Sequence, residues 1–161
     1  MPILHTQITA QGKAPDGSVV AIPSPVALIA RGPTIQVVVG VEEHIAQKLA
    51  QQGVSLPVPI SGWALIDTGA SSTCIDDAAA QKLHLPVVDV VTIASASHSA
   101  TQQNVYPIQI DFMGVPIKIN APRAVGAPLA AQNLLVLIGR DALQNCTLFY
   151  NGLAGTFTIH A

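Results

Sequence analysis

The segment over residues 106–120, YPIQIDFMGVPIKIN, alternates apolar and polar side chains on both sides of Gly114. An alternation of period two is the pattern of a β-strand with one buried face, and a glycine permits the tight turn that joins two such strands. Most other apolar runs in the chain are short, rich in Val and Ile, and bounded by Gly or Pro. The sequence therefore predicts an all-β fold with very little helix.

Further strands are predicted from the same signals at residues 3–10, 18–22, 26–30, 34–39, 63–66, 87–93 and 134–138, with a closing pair, CTLFY and GTFTIHA, on either side of Asn151 and Gly152. Helical patterning is confined to three places. Residues 41–52 form a candidate helix that ends at Gly53. A second helix is predicted to be capped by Asp76 or Asp77 and ended by Pro86, and residues 141–145 allow one short turn.

The composition limits the classes of protein that the chain can belong to. Its 161 residues are 50% hydrophobic and 10% charged, with a formal net charge of −2, which suits one domain with a buried core and excludes a disordered or coiled-coil chain. The seven Lys and Arg residues are scattered, so no nucleic-acid partner is expected. Pro and Gly interrupt the apolar runs and no signal peptide is visible, so we expect no membrane span and a cytoplasmic location.

The segment WALIDTGASSTCIDD carries the strongest chemical signal. An apolar strand at residues 64–66 runs into Asp67, Thr68, Gly69 and Ala70, which places a carboxylate at the mouth of a buried strand. Ionising a carboxylate there costs free energy unless hydrogen bonds compensate. Gly69 allows a tight turn, and the Thr68 hydroxyl can bond main chain across the gap.

The sequence DTGA resembles the active-site motif of aspartic proteases, and in this form it is similar to the retroviral branch. About 70 residues later, LLVLIGRDAL resembles the second retropepsin motif at residues 137–141, and LQNCTLFY resembles the terminal strand of that family. The resemblance covers residues 34–150 and implies a retropepsin-like acid-protease barrel. It predicts a single domain over residues 1–161, with an N-terminal β extension at about 1–33 and a helical insertion at about 41–57.

The implied activity is aspartic endopeptidase, acting on polypeptides without a metal or organic cofactor. This chemistry needs two carboxyl groups around one water, and the chain has no second Asp-Thr-Gly sequence. A two-fold homodimer would supply the second group, because a residue near the symmetry axis meets its own copy. The prediction is therefore a homodimer in which Asp67 of each subunit shares one proton.

The resemblance also implies roles for individual residues. Asp67 resembles the catalytic acid and base, Thr68 a member of a hydroxyl contact between subunits, and Gly69 a hydrogen-bonding partner of the substrate backbone. A flap is expected between the strand at 87–93 and a return strand from Val105. The substrate-binding residues so implied are Ala70, Ser71, Ala94, Ser95, Ala96, Ser97, His98 and Ile138, and the residues that support the site are Gly139, Arg140 and Asp141.

Several alternatives accompany these predictions. Ser71 stands where retroviral enzymes often carry Asp, which leaves Arg140 without its expected acidic partner. Glu43 and His44 are interpreted as a solvated helix face rather than a metal or base site, and Cys74 as a packed thiol rather than a nucleophile. The alternative function is a catalytically silent dimer that keeps the barrel to bind extended peptides or partner proteins.

Overall fold

The structure is a computed structural model that describes residues 2–95 and 98–161, with only the backbone described at residues 94, 95, 98 and 99. Twelve strands are present among these residues: β1 (Ile3–Gln7), β2 (Ala10–Lys13), β3 (Val19–Ile22), β4 (Thr34–Val41), β5 (Ile60–Ile66), β6 (Cys74–Asp76), β7 (Asp89–Ser95), β8 (His98–Phe112), β9 (Lys118–Ala127), β10 (Val136–Ile138), β11 (Thr147–Asn151) and β12 (Thr156–His160). The all-β prediction is confirmed.

Six strands close into a barrel. The hydrogen-bonded order is β4-β5-β10-β6-β9-β8, and a further pairing of β4 with β8 joins the two ends. Strand β7 extends the sheet beyond β8. The predicted hairpin at residues 106–120 forms the β8–β9 pair, and Gly114 takes a positive φ of 82° in its turn, a conformation that costs glycine little.

The barrel strands place their alternate residues in one continuous core. Along β4, Ile35, Val37 and Val39 are buried, and along β8, Ile108 and Ile110 are completely buried. The polar residues between them face outward, as the period-two pattern predicts. Burial on this scale is what fixes the register of the barrel, because a slip of one residue would turn the apolar face outward.

Both ends of the chain meet in a separate three-stranded sheet of order β1-β12-β11. The predicted closing pair is confirmed as the antiparallel β11–β12 hairpin, and Phe157 and Ile159 of β12 join the core with no exposed surface. The predicted strand at residues 3–10 divides into β1 and the start of β2, and β2 pairs with β3 in a two-stranded ribbon.

One strand prediction is wrong, because residues 26–30 lie in helix α1 (Ser24–Arg31). A short apolar run suits a strand or a buried helical turn equally well, and the flanking residues decide between them. Pro25 lies in the first turn, where a missing N–H costs nothing, and the N–H of Gly32 closes the helix on the carbonyl of Leu28 at 2.9 Å. Ala27 and Leu28 are the residues that α1 buries.

The three predicted helical segments are confirmed. Helix α2 (Glu43–Gln51) is capped by the buried Glu42, and α3 (Asp77–Lys82) is capped by Asp76. Helix α4 (Arg140–Leu143) is a single turn, and the described helices include none that could cross a membrane.

Candidate active site

The DTGA loop begins where β5 leaves the barrel. Ala64 and Ile66 are buried in the core, and Asp67 follows directly, half-buried, with its N–H donating to the carbonyl of Ile138 on β10 at 3.0 Å. The chain then turns, since the Ala70 N–H donates to the Asp67 carbonyl at 3.3 Å. The loop is thus attached at its start to the adjacent parallel strand.

The Asp67 carboxylate is oriented by its own loop. Its Oδ1 accepts a 2.8 Å hydrogen bond from the N–H of Gly69, while Oδ2 has no hydrogen-bond partner among the described residues. A main-chain donor at this distance fixes the rotamer of the carboxylate. One oxygen is therefore held in place, and the other is available for a reacting group.

Arg140 holds the loop from below. Its Nη1 donates to the carbonyls of Thr68 at 2.8 Å and Gly69 at 3.0 Å, and its N–H donates to the carbonyl of Ala70 at 3.0 Å. The expected acidic partner of Arg140 is absent, because Ser71 occupies its position. The Arg140 guanidinium binds main-chain carbonyls of the loop instead. The sequence did not indicate this arrangement, because main-chain acceptors leave no trace in residue identity.

A second network joins the loop to α4 through Thr73, which is completely buried. The Thr73 hydroxyl donates to Oδ1 of Asp141 at 2.8 Å and accepts from the N–H of Gly139 at 3.2 Å. The Asp141 carboxylate also accepts from the N–H groups of Thr73 and Ala142. It is fully engaged in holding the loop, which makes it unsuitable as a second reacting acid.

Gly139 lies against the main chain of the loop. A Cβ at this position would be 2.4 Å from the carbonyl carbon of Ser72 and 2.8 Å from the nitrogen of Thr73. A Cβ atom does not approach non-bonded main-chain atoms this closely, so the crossing of the two segments requires glycine. The φ of Gly139 is −86°, so the requirement is steric and not conformational.

The Cys74 thiol lies behind the loop, near Asp67 and Asp141. Burial, together with the negative charges of Asp141 and Asp67, raises its pKa to about 11. A thiol of this kind is protonated at neutral pH and is a poor nucleophile. The structure thus agrees with the interpretation of Cys74 as a packed residue.

Other carboxylates are engaged away from the DTGA loop. Asp111 pairs with Lys118, and a hydrogen bond from Arg123 lowers the pKa of Asp89. Asp76 caps α3, while burial raises the pKa of the neighbouring Asp77. Among the described residues, Asp67 is therefore the carboxylate that the DTGA loop presents.

The structure brings only some of the predicted substrate-binding residues to this loop. Ala70 is half-buried and Ser71 is exposed, both within the loop. Ala94, Ser95 and His98 belong to the β7–β8 hairpin, in which Ser95 pairs with His98, while Ala96 and Ser97 lie outside the described residues.

Ile138 requires a correction. It is completely buried in the barrel beside Ile66, so it is a core residue without a surface for a substrate. The preceding residue, Leu137, is half-buried and lies on the opposite face of β10. The alternation of side chains along β10 distinguishes Leu137 from Ile138, and it favours Leu137 as the residue next to the site.

Glu43 and His44 are both exposed on α2. The structure places them on a solvated helix face, as interpreted from the sequence, where the Glu43 carboxylate accepts a hydrogen bond from Gln47.

Comparison with known proteins gives a family match over this region. The family model described as "gag-polyprotein putative aspartyl protease" matches residues 61–145, which are 85 of the 161 residues and include the DTGA loop and α4. No curated protein matches the chain. A solved structure of the foamy viral protease-reverse transcriptase in complex with RNA/DNA hybrid is similar, with 20% identity and a TM-score of 0.43. The match covers 70% of this chain and only 12% of that one.

Proposed function

Because the chain belongs to the gag-polyprotein aspartyl protease family, we propose that it is an aspartic endopeptidase whose reacting carboxylate is Asp67. The observation that carries this proposal is the state of that carboxylate. One oxygen is fixed by the Gly69 N–H, the other is without a partner among the described residues, and Arg140 holds the loop that presents them.

The proposal requires a homodimer, because one subunit offers one such carboxylate. In the dimer, Asp67 and its symmetry copy face a single water and share one proton, since two adjacent carboxylates do not both ionise easily. The exposed Thr68 side chain is proposed to contact the partner subunit near the pair. The β7–β8 hairpin is proposed to act as a flap that closes over an extended polypeptide.

The reaction then follows from the protonation states of the pair. The ionised carboxylate takes a proton from the water while the water oxygen attacks the peptide carbonyl carbon. The protonated carboxyl donates its proton to the carbonyl oxygen. The tetrahedral intermediate collapses as the newly protonated carboxyl gives its proton to the peptide nitrogen and the other carboxylate takes a hydroxyl proton from the intermediate, and the C–N bond breaks. The products are one carboxyl and one amino terminus, and the pair again holds a single proton.

Substitution of the reacting group tests the chemistry. We expect Asp67→Asn to lower kcat by about a thousandfold or more, which is within the range for loss of a general acid–base group. Asp16→Asn is the matched control, because Asp16 is an exposed turn acid bonded to Ser18. The measurement is cleavage of an internally quenched peptide library, with circular dichroism to check the fold.

Mixed dimers test the stoichiometry. When wild type and Asp67→Asn are refolded together in equal amounts, random pairing leaves about half of the activity per wild-type chain. A self-sufficient subunit would keep all of that activity, which would contradict the shared site. A wild-type protein that binds peptides and never cleaves the library would instead support the catalytically silent dimer.

A further inference from the structure

A buried carboxylate outside the DTGA loop connects two parts of the barrel. Asp76, at the end of β6, is 8% exposed, and its Oδ1 accepts hydrogen bonds from the N–H groups of Leu129 at 3.0 Å and Ala130 at 2.9 Å. Its Oδ2 accepts from the N–H of Ala79 at 3.3 Å, which caps α3. One side chain thus holds the start of α3 and the segment at residues 128–134 at the same time.

The segment at residues 128–134 is held near its start by this carboxylate, and just beyond its end by the N–H of Leu135, which donates to the Trp63 carbonyl at 2.8 Å. It contains a single 3₁₀ turn (Ala130–Gln132) and a left-handed Asn133 with φ of 56°. The N–H of Leu129 donates both to Asp76 and to the carbonyl of Ala127, whereas the N–H of Ala130 donates to Asp76. Two hydrogen bonds to a buried charge are stronger than the turn's own bonds, so Asp76 sets the position of the segment.

The same segment forms one wall of a groove beside β5. Asn133 and Leu134 line a cavity of about 620 Å³ together with Trp63, Leu65 and Arg31. On β5, Ala64 and Ile66 point into the core, so strand alternation puts Trp63 and Leu65 on the face that leads to Asp67. Alternate residues of a strand lie about 7 Å apart, which matches the spacing of same-side chains in an extended peptide.

We propose that Asp76 is a positioning residue for substrate binding, because it fixes the 128–134 segment as the wall of the groove beside β5, the strand that leads into Asp67. This inference rests on the proposed peptidase function. Asp76 does not reach the DTGA loop through any hydrogen bond of its side chain among the described residues, so its effect falls on the binding of a substrate side chain and not on the chemical step. The groove, with its indole and aliphatic wall, suits a large apolar side chain.

Three variants separate the two duties of Asp76. Asp76→Ala removes both carboxylate oxygens, and with them the hydrogen bonds from Ala79, Leu129 and Ala130. Asp76→Asn keeps one oxygen, which can still accept from Leu129 and Ala130, while its amide group cannot cap α3 at Ala79. Asp77→Asn is the matched control, because this neighbouring carboxylate makes no hydrogen bond to the 128–134 segment among the described side chains.

Two measurements report on the position of the 128–134 segment without requiring catalytic activity: fluorescence quenching of Trp63 and amide hydrogen exchange at Ala130. Trp63 is the sole tryptophan and is 38% exposed, so acrylamide quenching of its fluorescence reports on the groove. We expect the quenching constant to rise about twofold in Asp76→Ala, with faster amide exchange at Ala130, and to stay at the wild-type value in Asp76→Asn and Asp77→Asn.

The kinetic measurement uses an internally quenched decapeptide with Leu-Phe at its centre. We expect Asp76→Ala to raise KM about tenfold with kcat within about twofold of wild type, and Asp76→Asn to restore KM. Unchanged quenching and exchange in Asp76→Ala, or a fall in kcat at constant KM, would overturn the positioning role. Altered quenching and exchange in a protein that cleaves no peptide would leave the wall assignment standing and overturn the peptidase function instead.

Discussion

Replacement of Thr73 by valine tests whether the buried hydroxyl holds the candidate active site together. Valine keeps the shape of threonine, so Thr73→Val creates no cavity and removes only the hydroxyl. Two hydrogen bonds are lost: the 2.8 Å bond to the Asp141 carboxylate and the 3.2 Å bond from the Gly139 N–H, which is left buried without this acceptor. The Asp141 carboxylate keeps its hydrogen bonds from the N–H groups of Thr73 and Ala142, so it is still stabilised by two main-chain donors.

The magnitude follows from these two bonds. A hydrogen bond to a charged group contributes about 1.5 kcal/mol or more, and an unsatisfied buried N–H costs about as much, so Thr73→Val should lower the free energy of unfolding by about 3 kcal/mol. That is a large fraction of the about 5–15 kcal/mol of a typical domain. With a urea m-value of about 2 kcal/mol/M, the unfolding midpoint should fall by about 1.5 M.

Thr73→Ser is the control, because serine keeps the hydroxyl and loses one buried methyl, at about 1 kcal/mol. Both variants should be measured by urea unfolding at one protein concentration, because the proposed dimer would make stability depend on concentration. A valine variant as stable as the serine variant would refute the claim that the hydroxyl network, rather than the packing of the side chain, fixes the loop.

Two other predictions concern the same region. Gly139→Ala should destabilise the protein by about 3 kcal/mol, because its Cβ would overlap the main chain at Ser72, whereas Gly40→Ala, whose Cβ would lie 3.6 Å from Pro59, should change stability by less than about 0.5 kcal/mol in the same urea assay. The raised pKa of Cys74 predicts a pH effect: the thiol titrates near 9.0 when unfolded and near 11 when folded, so stability should fall as pH rises through this window. Thermal unfolding at pH 8 and pH 10.5 should show a smaller loss in Cys74→Val than in wild type, and an equal loss would contradict the assignment.

The fold could be predicted from the sequence wherever burial is one-sided. The hairpin around Gly114 has strict alternation, and the structure reproduces it as β8 and β9. Prediction failed at residues 26–30, where a run of apolar residues is compatible with either secondary structure and the decisive signals, Pro25 and Gly32, lie at its ends. The closure of the barrel between β4 and β8 has no local signal in the sequence, because pairing between distant strands depends on packing; the prediction of a barrel came from the family resemblance alone.

The candidate active site could also be predicted only in part. Motif spacing indicated Asp67 and the second segment at Gly139, and the structure joins these segments through Arg140 and Thr73. The choice of Ile138 as a substrate contact failed because a motif gives position and not the direction of a side chain. The carbonyl partners of Arg140 were invisible because they belong to the main chain.

The joining of the DTGA loop to α4 has a consequence for the timing of folding. The hydrogen bonds that fix the loop connect residues 66–72 positions apart in sequence. During synthesis, Asp67 therefore leaves the ribosome long before the arginine that organises its turn. We expect a nascent chain that stops short of residue 142 to hold an unformed DTGA loop, because neither Arg140 nor Asp141 can yet hold it in place.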